Sequence, residues 1–316
     1  MKKLQITNRI ILATAEKMGW SNRVVSESAG LIAVTPPGKQ ELILKSGADP
    51  FATIPQYYMS VNKYTFYELA QKQGIPVPQS LLYEAGATDI EQIVADWQSI
   101  VVKPIDGTQG YGITVGCTTV AAVRSAIEHA QKVSDDVIIQ KQFYGNDYRV
   151  LVIGDRVAAV THRRPAFVIG NGRDNLAQLI DLENASDRRI DDYSEKLCTI
   201  DREKALAYLG NRATKIPSVG EEVIVYNVPN IGQGGQAVNV TDQIGKLASA
   251  LAVKAAAMVG LRCAGVDLLC QDIASDNLND FAIIEINTMP SFVVHEFPHV
   301  GNPINVSKLF LREIAK

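Results

Sequence analysis

Lys103 ends the β-branched run Val101-Val102, and a loop carrying Gly107, Gly110 and Gly112 follows it, before a second β-branched run, Ile113-Thr114-Val115. A fixed positive charge at the base of a glycine-rich loop suits phosphate. Glycine lets backbone N–H groups come close to an anion, and the lysine adds a point charge. The loop is not a P-loop, because no Gly-Lys-Ser or Gly-Lys-Thr follows the glycines and no helix opens after them. By itself the same pattern also describes a plain glycine-rich hairpin with a surface lysine.

A second group lies near the other end. Asp267 is flanked by Val266, Leu268 and Leu269, while Glu285 and Asn287 lie two apart among Ile283, Ile284 and Ile286. Period-two alternation puts Glu285 and Asn287 on one strand face, and pairing of the two strands brings Asp267 beside them. Three hard oxygen ligands with open positions hold Mg²⁺ when phosphates complete its shell. Carboxylates that merely end strands in solvent would need no metal. Apolar neighbours on both sides instead make a charge here costly without a cation. Between the two groups runs the stretch from Gln140 to Arg149. If it joins two lobes, the cleft between them is a nucleotide site, with Asp147 accepting ribose hydroxyls and Phe143 packing on a purine. An ordinary polar linker is the competing reading of that stretch.

The elements that must position these residues follow from pattern. Leu4, Ile10, Ile11, Leu12, Ala15 and Met18 fit an amphipathic helix, and residues 31–34 and 41–44 form a hairpin across Pro36-Pro37-Gly38. A helix is expected over 62–73, stopped by Gly74 and the prolines beyond it. Residues 80–143 alternate strand and helix, 148–153 and 156–161 pair across Gly154-Asp155, and 242–259 reads as an amphipathic helix. Strands are also expected at 222–228, 266–271 and 281–286, the last two antiparallel. The expected organisation is α+β: a short N-terminal segment over 1–75, a small lobe over 76–143, and a large lobe over 144–316. The polar stretch at about 163–220 is expected to act as a mobile flap.

Composition bounds the rest. The chain has 316 residues, 47% hydrophobic and 21% charged, and its net charge of −3 gives no electrostatic footprint for nucleic acid. No apolar stretch is long enough to span a bilayer, and Met1-Lys2-Lys3-Leu4-Gln5 lacks the apolar region of a signal peptide. Four scattered cysteines without a CxxC suit reduced thiols, and so a cytoplasmic setting.

Together these residues resemble the ATP-grasp superfamily: Lys63 on a helix before Gly-Ile-Pro-Val-Pro, Val-Val-Lys-Pro with its glycine-rich loop, the hinge, and Asp267 with Glu285-x-Asn287. From about residue 60 to 316 the chain is more closely similar to the ATP-grasp portions of cyanophycin synthetase and bifunctional glutathione synthetase. The closer features are the run from His162 to Gly172, Gln233-Gly234-Gly235, Val240-Thr241-Asp242, Gly265-Val266-Asp267, and Asn287-x-x-Pro290 with His295. The resemblance implies an ATP-grasp fold of two α+β lobes gripping ATP. Lys63 and Lys103 would hold the phosphates under the Gly107–Gly112 loop, and Gln140, Lys141 and Phe143 would line the adenine pocket, with Asp147 on the ribose. Asp267, Glu285 and Asn287 would coordinate two Mg²⁺, with Mn²⁺ as a substitute. Arg149, Arg163 and, from the flap, Lys215 would face the group being transferred.

Departures from the family pattern fall mainly on the substrate side. Gln140 stands where glutamate is usual, no arginine lies near Tyr226, Gly232-Gln233 replaces Ser-Thr, and Ser291 replaces a glycine. The resemblance implies an ADP-forming carboxylate–amine ligase for amino acids or peptides, with drifted specificity; the alternative is a non-catalytic ATP-binding regulatory module or partner subunit. The leading region is shorter than is usual in the family, so a second subunit of a homodimer is expected to complete the substrate pocket.

Overall fold

In the computed structural model, which describes residues 4–106, 110–187, 189–190 and 197–316, the chain opens with helix α1 (Ile6–Lys17). An antiparallel sheet follows, β1 (Ser21–Ser26), β2 (Leu31–Thr35) and β3 (Leu42–Leu44), in the order β1-β2-β3. The sequence signals β2 and β3 but not β1. Val24 and Val25 lie on its exposed surface, so no apolar alternation marks this edge strand. Helix α2 (Ile54–Val61) is also unannounced: it is short and mostly exposed, and it starts from a capping box between Thr53 and Gln56. Helix α3 (Lys63–Lys72) starts where expected, because Asn62 caps it by accepting from the Thr65 amide at 2.8 Å.

The small lobe alternates β4 (Ser80–Leu82), α4 (Ile90–Trp97), β5 (Ile100–Pro104), β6 (Thr114–Cys117), α5 (Val120–Gln131) and β7 (Val137–Lys141). Its sheet runs β4-β7-β5-β6, antiparallel throughout, and β5 pairs with β6 as the hairpin pattern requires. Ile100, Val102, Val137 and Ile139 bury against Val123 and Ile127 of α5.

The large lobe begins with β8 (Asn146–Ile153), β9 (Arg156–Arg164) and β10 (Ala166–Ile169), then α6 (Leu176–Asn184), β11 (Arg189–Ile190), β12 (Leu197–Cys198) and α7 (Arg202–Leu209). It continues through β13 (Glu222–Tyr226), β14 (Gln236–Asn239), α8 (Lys246–Val259), β15 (Cys263–Cys270), β16 (Phe281–Asn287), α9 (Val293–Glu296) and α10 (Val306–Ile314). Five strands form one antiparallel sheet in the order β14-β9-β8-β15-β16. Helix α8 starts at Lys246 rather than Asp242, because a 3₁₀ turn occupies 241–243.

The segment expected as a flap carries a core of its own. β10 pairs with β13, and Val168, Leu176, Ile180, Ala205, Leu209 and Val225 bury together beneath that ribbon. Buried Arg189 ties this unit to the glycine loop before β14: it donates to the carbonyls of Cys198 at 2.6 Å and Gly234 at 3.0 Å, and to Glu183 at 2.9 Å. The stretch is polar in sequence because its core is small, not because it lacks one.

The central sheet has two faces of different character. Val150, Val152, Val160, Ala264, Val266 and Leu268 point to α8, which buries an alanine-rich face on them. The alternate residues Leu151, Ile153, Ala159 and Cys263 meet α1, α10 and β2, so the N-terminal segment belongs to this core. Farther along that second face the side chains change from apolar to charged, at Asp147, Arg149, Thr161, Arg163 and Asp267. That change marks the site.

Candidate functional site

Register assembles the charged face. Glu285 on β16 is directly opposite Asp267 on β15, Asp267 is opposite Arg149 on β8, and Arg149 is opposite Thr161 on β9. Asn287 lies two residues from Glu285, opposite Gly265. The three expected oxygen ligands therefore share one face. The cation that the desolvation argument demands for Asp267 is, however, already built in. Arg149 grips it through Nε and, at 3.2 Å, Nη2, and Arg163 Nη2 donates to it at 3.0 Å. Burial works against the charge on Asp267, yet the two guanidiniums prevail and hold its carboxyl below the usual range. Glu285 goes the other way: burial and the neighbouring Asp267 charge raise it, against the pull of Lys63, Arg149 and Lys103.

Gly265 is where the backbone must give way. A Cβ there would sit 3.1 Å from Cδ and Nη1 of Arg149 and 3.1 Å from Cβ of Pro290. The glycine of Gly265-Val266-Asp267 thus clears the path of the arginine to its carboxylate, while Asn287 Nδ2 donates to the Gly265 carbonyl at 3.4 Å.

Asp147 departs from its expected ribose role. Its carboxylate accepts from Arg163 Nε at 2.6 Å, so Arg163 bridges Asp147 and Asp267. Burial and Asp267 push the Asp147 carboxyl up, while Arg163 opposes them. Lys215, expected near the transferred group, instead pairs with Glu221 at 3.1 Å and is 58% exposed, so it does not join the charged row. Gln140 is buried, accepting from Lys103 at 3.1 Å and donating to Ser80 at 2.8 Å. Lys141 is exposed. Phe143 lines an open groove of about 430 Å³ with Ile75, Pro76, Val77, Leu278 and Phe281, which holds none of the lysines or acids above.

The lysines are placed as anticipated in position but not in environment. Lys63 opens α3, its amide donating to the Ile105 carbonyl at 3.2 Å, and Lys103 ends β5; both are buried, at 5% exposure. Burial lowers Lys103 to about 8 although Glu285 pulls it back up. Its ammonium donates to Tyr67 Oη at 2.6 Å, a residue not anticipated. The available sequence signal was spacing: Tyr67 is four residues after Lys63 on α3, and so on the same helical face. In the glycine loop, Gly110 and Gly112 have positive φ, and a Cβ on Gly112 would come within 3.2 Å of Pro104 beside Lys103. Gly107 lies outside the described residues.

His295 was noted only as part of a motif. It is 2% exposed, with Nδ1 2.9 Å from the Thr161 hydroxyl and Nε2 without a partner among the described residues. Burial, with Arg149 and Arg163 nearby, lowers it to about 3, so the imidazole is neutral.

Two lobes closing a cleft over paired lysines and a row of acids have counterparts among known proteins. Residues 60–210 match the RimK-like ATP-grasp domain. The chain is 32% identical over 256 residues to cyanophycin synthetase of Trichormus variabilis, covering 79% of this chain and 28% of the relative. It is 27% identical to the bifunctional glutathione biosynthesis protein of Clostridium perfringens, covering 94% of this chain and 39% of that one. Among solved structures, bifunctional glutathione synthetase from Pasteurella multocida superposes with a TM-score of 0.73 at 25% identity, over 99% of this chain and 43% of that one. D-alanine–D-alanine ligase from Bacillus anthracis shares the fold, with a TM-score of 0.52 at 11% identity over 84% of this chain and 69% of that one. Sequence match and fold place the chain in the ATP-grasp superfamily. It spans between a quarter and a half of the length of the larger relatives named here.

Proposed function

We propose that this chain is an ATP-dependent carboxylate–amine ligase that joins amino acids or peptides through an acyl phosphate, releasing ADP and phosphate. The observation that carries the reading is charge placement. Buried Lys63 and Lys103 come from the small-lobe side and act electrostatically on Glu285, which stands opposite Asp267 in the large sheet. Polyphosphate between such walls meets lysines on one side and an oxygen donor set on the other.

Asp267, Glu285 and Asn287 fit a hard divalent cation by donor chemistry, and Mg²⁺ or Mn²⁺ held there would neutralise charge on the phosphate oxygens. The chain's own residues do the rest. Lys63 and Lys103 fix the phosphates, and the loop holding Gly110 and Gly112 closes over them. A substrate carboxylate oxygen bonds to the γ-phosphorus as its bond to the bridging oxygen breaks, leaving ADP. Arg149 and Arg163 each hold carboxylates through Nε and Nη2, so Nη1 of each remains to stabilise the acyl phosphate. An amine nitrogen then bonds to the acyl carbon, phosphate leaves, and the nitrogen loses a proton. Closure over the cleft keeps water from the acyl phosphate. Four buried free thiols, at Cys117, Cys198, Cys263 and Cys270, fit a reducing compartment.

The reading predicts that Mg-ATP at a hundredfold excess over its dissociation constant raises unfolding stability by about 2.7 kcal/mol. Glu285→Gln is expected to keep the fold and lose turnover. If Mg-ATP leaves the melting temperature unchanged, or Glu285→Gln turns over normally, the reading is wrong.

A further inference from the structure

Tyr67 meets three elements through one oxygen. It lies on α3, is 1% exposed, and donates its hydroxyl hydrogen to the Ile284 carbonyl of β16 at 2.6 Å. The same oxygen accepts from Lys103 of β5 at 2.6 Å. Burial above all raises the phenol's ionisation, so it keeps the hydrogen that anchors it to β16.

We propose that Tyr67 is a positioning residue for nucleotide binding, holding the Lys103 ammonium in the single orientation that presents it to phosphate. The proposal rests on the reading of the cleft as a nucleotide site. A lysine side chain has four rotatable bonds and an ammonium that bonds in any direction, so a buried lysine needs partners to fix where it points. Here one N–H goes to Tyr67 and one to Gln140 at 3.1 Å, which leaves the third for a ligand oxygen. The phenol suits this place better than a carboxylate would. It accepts a strong hydrogen bond from the ammonium without neutralising the charge, so the attraction for phosphate is kept. Its own anchor is the carbonyl next to Glu285, so the lysine is set relative to the strand that carries the acids.

A merely structural Tyr67 would fill the core beside Phe66 and act independently of the lysine. The two roles separate in a double-mutant cycle on the dissociation constant of Mg-ADP, measured by titration calorimetry. Tyr67→Phe keeps the ring and removes one oxygen, and circular dichroism establishes that the variant is folded. Tyr67→Phe is expected to weaken Mg-ADP binding about tenfold, in line with loss of a hydrogen bond to a charged group. Lys103→Met weakens it at least as much, and adding Tyr67→Phe to Lys103→Met changes nothing further. If Tyr67→Phe binds as tightly as wild type, or costs the same factor in both backgrounds, the proposal is overturned. A wild-type protein that does not bind Mg-ADP overturns the nucleotide reading itself, and this proposal with it.

Discussion

Lys103 shows how far single residues could be read. Its type and its place before a glycine loop announced phosphate chemistry, but its burial and the company of Tyr67 and Gln140 did not show, because each partner is more than thirty residues away. Burial has a measurable consequence. A lysine lowered to about 8 in the folded chain and titrating near 10.4 when unfolded is charged in both states below pH 8. Between pH 8 and about 10.4 the unfolded state binds more protons, so the contribution of Lys103 to stability rises with pH across that window, by up to about 1.4 kcal/mol per unit. Denaturant titrations of wild type and Lys103→Met between pH 7 and 10 should diverge with that sign; parallel pH profiles would mean that Lys103 is not held as described. The arginines taught the opposite lesson. Arg149 and Arg163 were anticipated as substrate groups, and nothing in the sequence placed them on Asp267, because alternation gives the face of a strand and not its neighbours.

Among the elements, the antiparallel pair β15–β16 and the opposition of Asp267 to Glu285 were legible from apolar alternation around the acids. Edge and short elements were not: β1 is polar and exposed, and β14 has four residues following a glycine pair. The unit around β10 and β13 was read as loose because its few buried residues are dispersed through polar sequence, and its long-range tie, Arg189 to Gly234, leaves no local pattern. The strand β15 provides the sharpest test at this scale. Gly265→Ala would put a methyl group 3.1 Å from the Arg149 side chain, displacing it and leaving buried Asp267 with Arg163 alone. The expected cost is about 1–3 kcal/mol in urea unfolding, as for other overpacked sites. An unchanged midpoint would show that the arginine has room to spare.

At the scale of the whole molecule, the two lobes were legible because each is built from periodic strands and helices, and the 140–149 hinge stood between them. The N-terminal segment was read as an appendage, but Ile11, Ile32 and Leu44 share one core with Leu151, Phe310 and Leu311. It covers the apolar half of the same sheet face whose other half is charged, so it helps to define where the cleft begins. What this arrangement does rests on one chemical claim, transfer of the γ-phosphoryl group to a carboxylate. The direct measurement is the nucleotide product when amino acids and dipeptides are supplied with Mg-ATP, with hydroxylamine present to trap an activated acyl group. ADP and phosphate in equal amounts with the acyl hydroxamate or amide are predicted; AMP and pyrophosphate as the stoichiometric products would contradict the account, even with the fold unchanged.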